Sequence, residues 1–321
     1  MKREPTKKGQ SNKAPLLPEW EKNTVYLSSP EDIPYLKNQA ELRDLYGRLE
    51  QVLRPHTQVR RFGTSAAAGS DAWPGQALPD VWLRDFAPMQ RSDGSFLAFD
   101  YRPGYLAAKE AAHTQRALLE RLPERFDVKR SPLVLDGGSV VTNGRGDYIV
   151  SQVAYPDNPQ RNRAQIQRDL HEALHAERIA FVPAEPGDIS GHVDGTVRWI
   201  STEVLVVNDC SPYRDLAGFQ VQVEATLTRR FPWMTLARLP YRRSEIKHGR
   251  WWSAEGIYAN FLQTERAVFL PAYGQPEDEL AQRILENLLP GIPVVPVRSN
   301  AIARWGGVLN CITWTTREED N

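Results

Sequence analysis

Apolar positions along the chain follow two periods, and the two alternate from one end to the other. In PYLKNQAELRDLYGRLEQVL, residues 34–53, Leu42, Leu45, Leu49 and Val52 fall three or four apart, which predicts an amphipathic helix entered through Ser29 and Pro30. The same period recurs in KEAAHTQRALLERL (109–122), PQRNRAQIQRDLHEALHAE (159–177) and PEDELAQRILENLL (276–289), each with one apolar and one charged face. Between these lie short runs of Val, Ile, Leu and aromatics: VYLS, FLAFDY, LVLDGG, SVVTNGRGDYIVS, TVRWIS, EVLVVND, AVFLPAY and IPVVPV. Their residue types and lengths predict strands. Asn143-Gly144 between two apolar runs predicts a hairpin, because a primed turn needs positive φ at both central positions. The sheet structure is therefore expected to be at least partly antiparallel, in an α/β chain built from repeated strand and helix units.

No low-complexity linker divides the chain. Residues 16–321 are expected to form one domain, preceded by a flexible basic tail, MKREPTKKGQSNKAP, residues 1–15. That tail lacks the apolar stretch of a signal peptide and could also serve as a docking arm for an acidic partner. Residues 63–80, GTSAAAGSDAWPGQALPD, read as a flexible loop inside the domain.

Composition narrows the function. Forty Lys plus Arg balance forty Asp plus Glu, so nothing global recommends nucleic acid or an anionic membrane as partner. No run approaches the roughly 20 apolar residues of a membrane span. Two cysteines in 321 residues cannot make a disulfide framework, which suits a soluble protein of the cytoplasm.

Four segments then carry unusual residues. WLRDFAP sets Arg84 beside Asp85 in an aromatic context, where a charged pair is costly to bury unless something satisfies it; an exposed ion pair is the plainer alternative. LVLDGG ends a strand on Asp136, either a turn residue with left-handed glycines or a functional acid. GHVDGTVRW spaces His192 and Asp194 by two, so an extended backbone would turn both to one face. RWGGVLNCITW places Cys311 after a glycine pair, as nucleophile or as small core residue, whereas Cys210 simply follows a strand. One thiol, one imidazole and several carboxylates mix soft and hard ligands without zinc spacing, and no Gly-x-Ser-x-Gly elbow occurs, so no metal and no serine triad is expected. The set suits a thiolate nucleophile, a proton-transferring histidine and carboxylates facing a cation. A guanidinium, whose planar fork pairs with carboxylates, is the natural cation.

WLRDFAP, LDGGSVVTNGRG, GHVDGTVRW and GGVLNCIT, in this order, resemble the successive motifs of the agmatine deiminase and bacterial peptidylarginine deiminase family. LPEWEKNTVYL and YANFLQTERAVFLPAYGQPEDELA resemble its flanking segments, so the likeness spans nearly everything after residue 15. The resemblance implies a five-bladed α/β propeller of ββαβ units with mixed sheets (the pentein fold), no cofactor, and a small guanidine as partner, with a homodimer left open. It implies Cys311 as the nucleophile forming a covalent amidino-thioester, His192 as acid and base, and Asp85 and Asp194 as the guanidinium grip. Asp136 stands where the family has an acid before its glycines, Asp188 and Asn260 become candidates for the far end of the substrate, and Arg84 is expected to orient Asp85. Trp82, Trp305 and Trp314 could stack on a guanidinium, with core packing as the alternative. Asn310 replaces the histidine that agmatine deiminases usually carry before the cysteine, and only Gly306-Gly307 remains of a longer glycine run, which points to a shift in substrate. Agmatine or a related arginine derivative is the expected substrate. Peptidyl or free arginine, amidino transfer to an amine, and silent guanidine binding are the alternatives.

Overall fold

The structure, a computed structural model, describes residues 14–33, 35–36, 39–63, 72–73, 78–249 and 251–319. The expected flexible tail lies outside them up to residue 13. Ala14 is already buried: its carbonyl accepts from Arg91 Nη1 at 3.0 Å, and the Leu16 N–H donates to the Tyr148 hydroxyl at 2.8 Å.

The first sheet is centred on β1 (Thr24–Leu27), which leads through α1 (Ala40–Leu53) to the parallel strand β2 (Gln58–Phe62), with a short β3 (Ala72–Trp73) beside it. Residues 64–71 and 74–77 of the expected loop lie outside the described residues; Leu78, at its end, is buried. Leu42, Leu45 and Leu49 of α1 are fully buried as predicted, each worth roughly 2 kcal/mol of transfer free energy, but the fourth buried position is Leu53, and Val52 is only half-buried. Ser29 and Pro30 open a separate 3-10 turn, Pro30–Asp32, and α1 starts only at Ala40.

After a single helical turn, α2 (Leu83–Phe86), the second sheet runs β4 (Met89–Gln90), β5 (Phe96–Asp100), α3 (Ala108–Leu119) and β6 (Val128–Val134). The third runs β7 (Val140–Thr142), β8 (Asp147–Ser151), α4 (Arg163–Ala173) and β9 (Arg178–Val182). The fourth runs β10 (Val197–Trp199), β11 (Val204–Asp209), α5 (Ala217–Arg230) and β12 (Thr235–Pro240). A two-stranded ribbon, β13 (Lys247–His248) with β14 (Trp251–Trp252), precedes the last sheet. That sheet runs β15 (Leu262–Gln263), β16 (Val268–Ala272), α6 (Pro276–Leu288) and β17 (Val294–Arg298), followed by α7 (Asn300–Ala303) and β18 (Thr313–Thr316).

One pattern repeats in each of these units: a central strand lies antiparallel to one neighbour and parallel to the strand that follows its helix. A helical crossover is what a parallel pair requires, and a tight turn is enough for an antiparallel one. The first unit takes its antiparallel strand from the far end of the chain, where β18 pairs with β1, Thr24 opposite Thr316 and Leu27 opposite Thr313. The fold is thus mixed α/β, as expected. No helix among the described residues is long and apolar enough to cross a membrane.

The expected hairpin is β7–β8, but its turn differs from the two-residue primed form. Residues 143–146 connect the strands, Gly144 (φ 76°) and Gly146 (φ 82°) take the left-handed positions, and Asn143 Oδ1 accepts from the Arg145 N–H at 2.9 Å. Asn143 therefore acts through its side chain as an Asx turn, not through a positive φ.

Candidate active site

Each connection from one sheet to the next delivers one part of a single site. The first carries α2 with Asp85; the second, between β6 and β7, carries Asp136-Gly137-Gly138; the third, between β9 and β10, carries His192 and Asp194. The fourth, between β12 and β15, carries Asn260, and the last, between β17 and β18, carries Cys311. Trp82, Asp85, His192, Asp194, Asn260 and Cys311 line a cavity of about 150 Å³.

At its inner end the polar groups face one another. Cys311 Sγ lies 3.3 Å from Asn260 Oδ1 and 4.0 Å from Asp194 Oδ2. The thiol donates to this amide oxygen; a thiolate would accept from the amide nitrogen after the group turns over. The His192 ring is bracketed, with Nδ1 3.5 Å from Asp85 Oδ1 and Nε2 3.2 Å from Asp136 Oδ2. The Gly138 N–H donates to Asp85 Oδ1 at 3.3 Å, and the Gly138 carbonyl accepts from the N–H groups of Val193 and Asp194.

Close approach explains the glycine pairs. A Cβ on Gly138 would lie 2.6 Å from His192 Nδ1 and 2.9 Å from Asp85 Oδ1, and one on Gly137 would strike the Arg84 carbonyl at 2.0 Å. Neither has a positive φ, so the left-handed turn expected after Asp136 is replaced by crowding. Gly306 does need its φ of 92°, while a Cβ on Gly307 would meet the Trp82 ring at 2.5 Å and the Cys311 Cβ at 3.1 Å.

Electrostatics favour a cation here. Burial pushes the Asp85 carboxyl up to about 8, opposed by the facing His192 and reinforced by Asp136 and Asp194. Burial alone would lower the His192 value, but the charges of Asp85 and Asp136 hold it well above its ordinary value. Burial, then Asp194 and Asp85, push the Cys311 thiol well up, with the Val308 backbone and Asn260 pulling against them. A positive charge placed among these groups would favour the ionised carboxylates and the thiolate together.

A second layer holds the cysteine loop. Arg84 turns away from Asp85: its backbone N–H donates to the Cys311 carbonyl at 3.1 Å, its Nε to the Asn310 carbonyl at 3.4 Å, and its guanidinium forks onto Glu19 at 3.2 and 3.3 Å. Burial would raise the Glu19 value, but Arg84 and Lys22, joined by Arg198, hold it well below the carboxylate range. Arg84 therefore braces the Cys311 turn, and the expectation that it orients Asp85 is corrected.

Three further expectations change. Asn310 is buried outside the cavity wall and donates from Nδ2 to Asp194 Oδ2 at 2.6 Å, so it reaches the site through Asp194. Asn260, expected at the far end of the substrate, lies against the sulfur. Trp314 is core: it packs with Tyr26, Phe62, Phe96 and Phe126 and donates from Nε1 to the Pro88 carbonyl at 2.7 Å. Trp82 and Trp305 do line the cavity, and Asp188 sits at its exposed rim with Oδ1 accepting from the Ser190 N–H and hydroxyl, both at 2.9 Å. Sequence reasoning missed Glu185, Tyr241, Trp251 and Trp252 in the outer wall, where no motif marks them, and the brace partner Glu19, which lies in the segment LPEWEKNTVYL.

Known proteins share this fold. The agmatine deiminase of Stutzerimonas stutzeri is 27% identical over 281 residues, 77% of this chain and 74% of that protein. The C. jejuni agmatine deiminase superposes with a TM-score of 0.82 at 21% identity, covering 95% of this chain and 96% of that one. A cysteine-to-serine variant of the C. jejuni agmatine deiminase, solved with substrate bound, gives 0.80 at 19% identity, covering 95% and 96%. The agmatine deiminase of Enterococcus faecalis gives 0.78 at 17%, covering 97% and 98%. A family model of the Porphyromonas-type peptidyl-arginine deiminase matches residues 37–316. The chain belongs to that family, hydrolases acting on guanidino carbon–nitrogen bonds.

Proposed function

We propose that this protein hydrolyses the guanidinium group of agmatine, or of a close arginine derivative, to a ureido product and ammonia through a covalent intermediate on Cys311. The observation that carries this reading is the meeting of the Cys311 thiol, the His192 ring and the Asp85 and Asp194 carboxylates at the closed end of one cavity. We also infer that the five units form an α/β propeller: four of the five inter-sheet connections line one cavity, the β6–β7 connection reaches it through Asp136 on His192, and β18 closes the first sheet, as a closed ring of blades would require.

In this mechanism Asp85 and Asp194 accept hydrogen bonds from the guanidinium nitrogens and hold its carbon near the sulfur. The cation lowers the cost of ionising Cys311, whose proton leaves to solvent and returns when the sulfur is released, and the thiolate attacks that carbon to give a tetrahedral adduct. His192, charged between Asp85 and Asp136, gives a proton to the departing ammonia. The C–N bond breaks and an amidino-thioester remains. Neutral His192 then takes a proton from water, the resulting hydroxide adds to the same carbon, and the C–S bond breaks to release the ureido product and regenerate the sulfur. One guanidinium and one water are consumed; one ureido group and one ammonium are formed.

The test is ammonia release from a panel containing agmatine, free arginine, a blocked arginine peptide and simple alkylguanidines. At least one is turned over, and Cys311→Ala lowers that rate at least about 10⁴-fold, as loss of a covalent nucleophile does. A haloacetamidine alkylates Cys311 and leaves Cys210 free. Folded protein that releases ammonia from none of these compounds would sink the proposal. New guanidines formed in the presence of added amines would replace hydrolysis by amidino transfer.

A further inference from the structure

The inner end of the cavity accounts for the guanidinium; the outer wall holds a carboxylate of its own. Glu185 lines the cavity beyond His192, and Tyr241, another lining residue, donates its hydroxyl to Glu185 Oε1 at 2.5 Å. Tyr241 is itself held edge-on by Tyr213, with ring centres 5.6 Å apart, and the Tyr213 hydroxyl accepts from the Arg243 backbone N–H at 2.9 Å. This is a built wall. A carboxylate offers about four acceptor positions, and the tyrosine takes one.

No described basic side chain forms an ion pair with Glu185, although two arginines line the same wall. Arg243 is paired to Asp215, though its charge also acts on Glu185 at longer range, and Arg242 is paired to Glu277 at 3.7 Å. Of the other outer carboxylates, Glu255 accepts from Asn300 Nδ2 at 3.2 Å, and Asp188 is exposed and capped by Ser190. Burial raises the Glu185 carboxyl above its ordinary value, in line with a group that is charged most readily when a cation arrives.

We propose that Glu185, held by Tyr241, binds the ammonium at the far end of a substrate whose near end is a guanidinium, and so selects an alkylamine-terminated guanidine over arginine itself. This rests on the proposed deiminase reading and assigns the second half of the same site. An α-carboxylate beside that ammonium would bring a second negative charge toward Glu185, with the neighbouring arginines already engaged by other acids.

The experiment compares agmatine, L-arginine and pentylguanidine, in which a methyl group replaces the amine of agmatine. In the wild type, agmatine has the lowest KM of the three. Glu185→Gln raises the agmatine KM about 10- to 100-fold, the size expected for a lost charge-assisted contact, with kcat retained and pentylguanidine kinetics unchanged. The same change narrows the preference for agmatine over arginine. Tyr241→Phe, which keeps the carboxylate and frees it, raises the agmatine KM by a smaller factor. Equal losses on agmatine and pentylguanidine would make Glu185 a structural residue and overturn the inference while leaving the deiminase reading intact. A wild-type KM that is the same for both does so too. Folded wild type that turns over none of the three removes both.

Discussion

The two ends of the cavity are built differently. At the inner end, Asp85, Asp194 and Cys311 are buried and come from separate inter-sheet connections, and Asp85 and Cys311 are pressed by glycines that leave no room for a Cβ. The outer end draws on residues 185–190, 241–244 and 251–255, where Asp188 and Ile189 are exposed and a Cβ on Gly187 would meet nothing within 4 Å. Crowding fixes geometry, and geometry is what a covalent reaction needs. Open space along the rim at Gly187 tolerates change, and that suits the end that selects among substrates.

The sharpest test of this contrast is removal of charge at constant shape. Asp85→Asn or Asp194→Asn should lower kcat about 10²- to 10³-fold, the cost of one preorganised electrostatic partner of a transition state. Steady-state kinetics on the best substrate measures it. A loss confined to KM would place these carboxylates with the outer, selecting groups and break the division between the two ends.

Next comes a pair of glycine substitutions. Gly138→Ala forces a methyl against His192 and Asp85, and should cost about 10²-fold in kcat, since a shift of about 1 Å at a reacting group has that effect. Gly187→Ala meets only the strain of its φ of 90°, about 1–2 kcal/mol of stability, and should leave kcat within about twofold. Equal effects on kcat would show that the outer loop is as constrained as the inner one.

The inner end was legible in the sequence because crowding leaves marks: a glycine pair after Asp136, another before Cys311, and the His192–Asp194 spacing. Those marks named the residue types but not the contacts. Arg84 and Asp85 are adjacent in sequence yet face opposite sides of the Cys311 turn, and a one-turn helix is too short to show a period. The outer wall left no mark, because Glu185, Tyr241 and the tryptophans are ordinary surface residues until the chain folds. Among the elements, α1, α3, α4 and α6 showed their period. α5 did not: Phe219, Val221 and Val223 alternate as a strand would, and Val221 is exposed on the helix. β9 and β12 went unread because RIAFV is short, with four apolar residues after a basic one, and TLARLP is broken by Arg238 and ends on a proline.

The ends should also differ in their response to pH. Asp85 in the folded protein lies near 8 against an ordinary 3.8, so its protonated form contributes stability that is full below about pH 4 and is lost as pH rises through 8. His192, raised above 6.5, contributes in the same direction, with its stability lost above its folded value. The melting temperature of the free enzyme should therefore fall between pH 5 and about pH 9, and Asp85→Asn should flatten part of that fall. A guanidinium ligand should protect most at the alkaline end, where the carboxylates are ionised. A melting temperature that rises over this interval in the free enzyme would contradict the inner-end electrostatics.

The smallest effect belongs to Asp188, which sequence alone had set beside Asn260 at the far end of the substrate. Its carboxylate is at the exposed rim, and its Oδ1 already accepts two hydrogen bonds from Ser190. A solvent-exposed charge interacts weakly with a ligand, because water and salt screen it, and exposed pairs contribute roughly 0–1 kcal/mol. Asp188→Asn should therefore raise the agmatine KM less than about fivefold at physiological salt, and that small rise should vanish at high salt. The effect of Glu185→Gln should persist at high salt, since its partner is a buried tyrosine and its screening is poor. If the order of the two is reversed, the ammonium is held at the rim, and the outer end selects by long-range attraction instead of by contact.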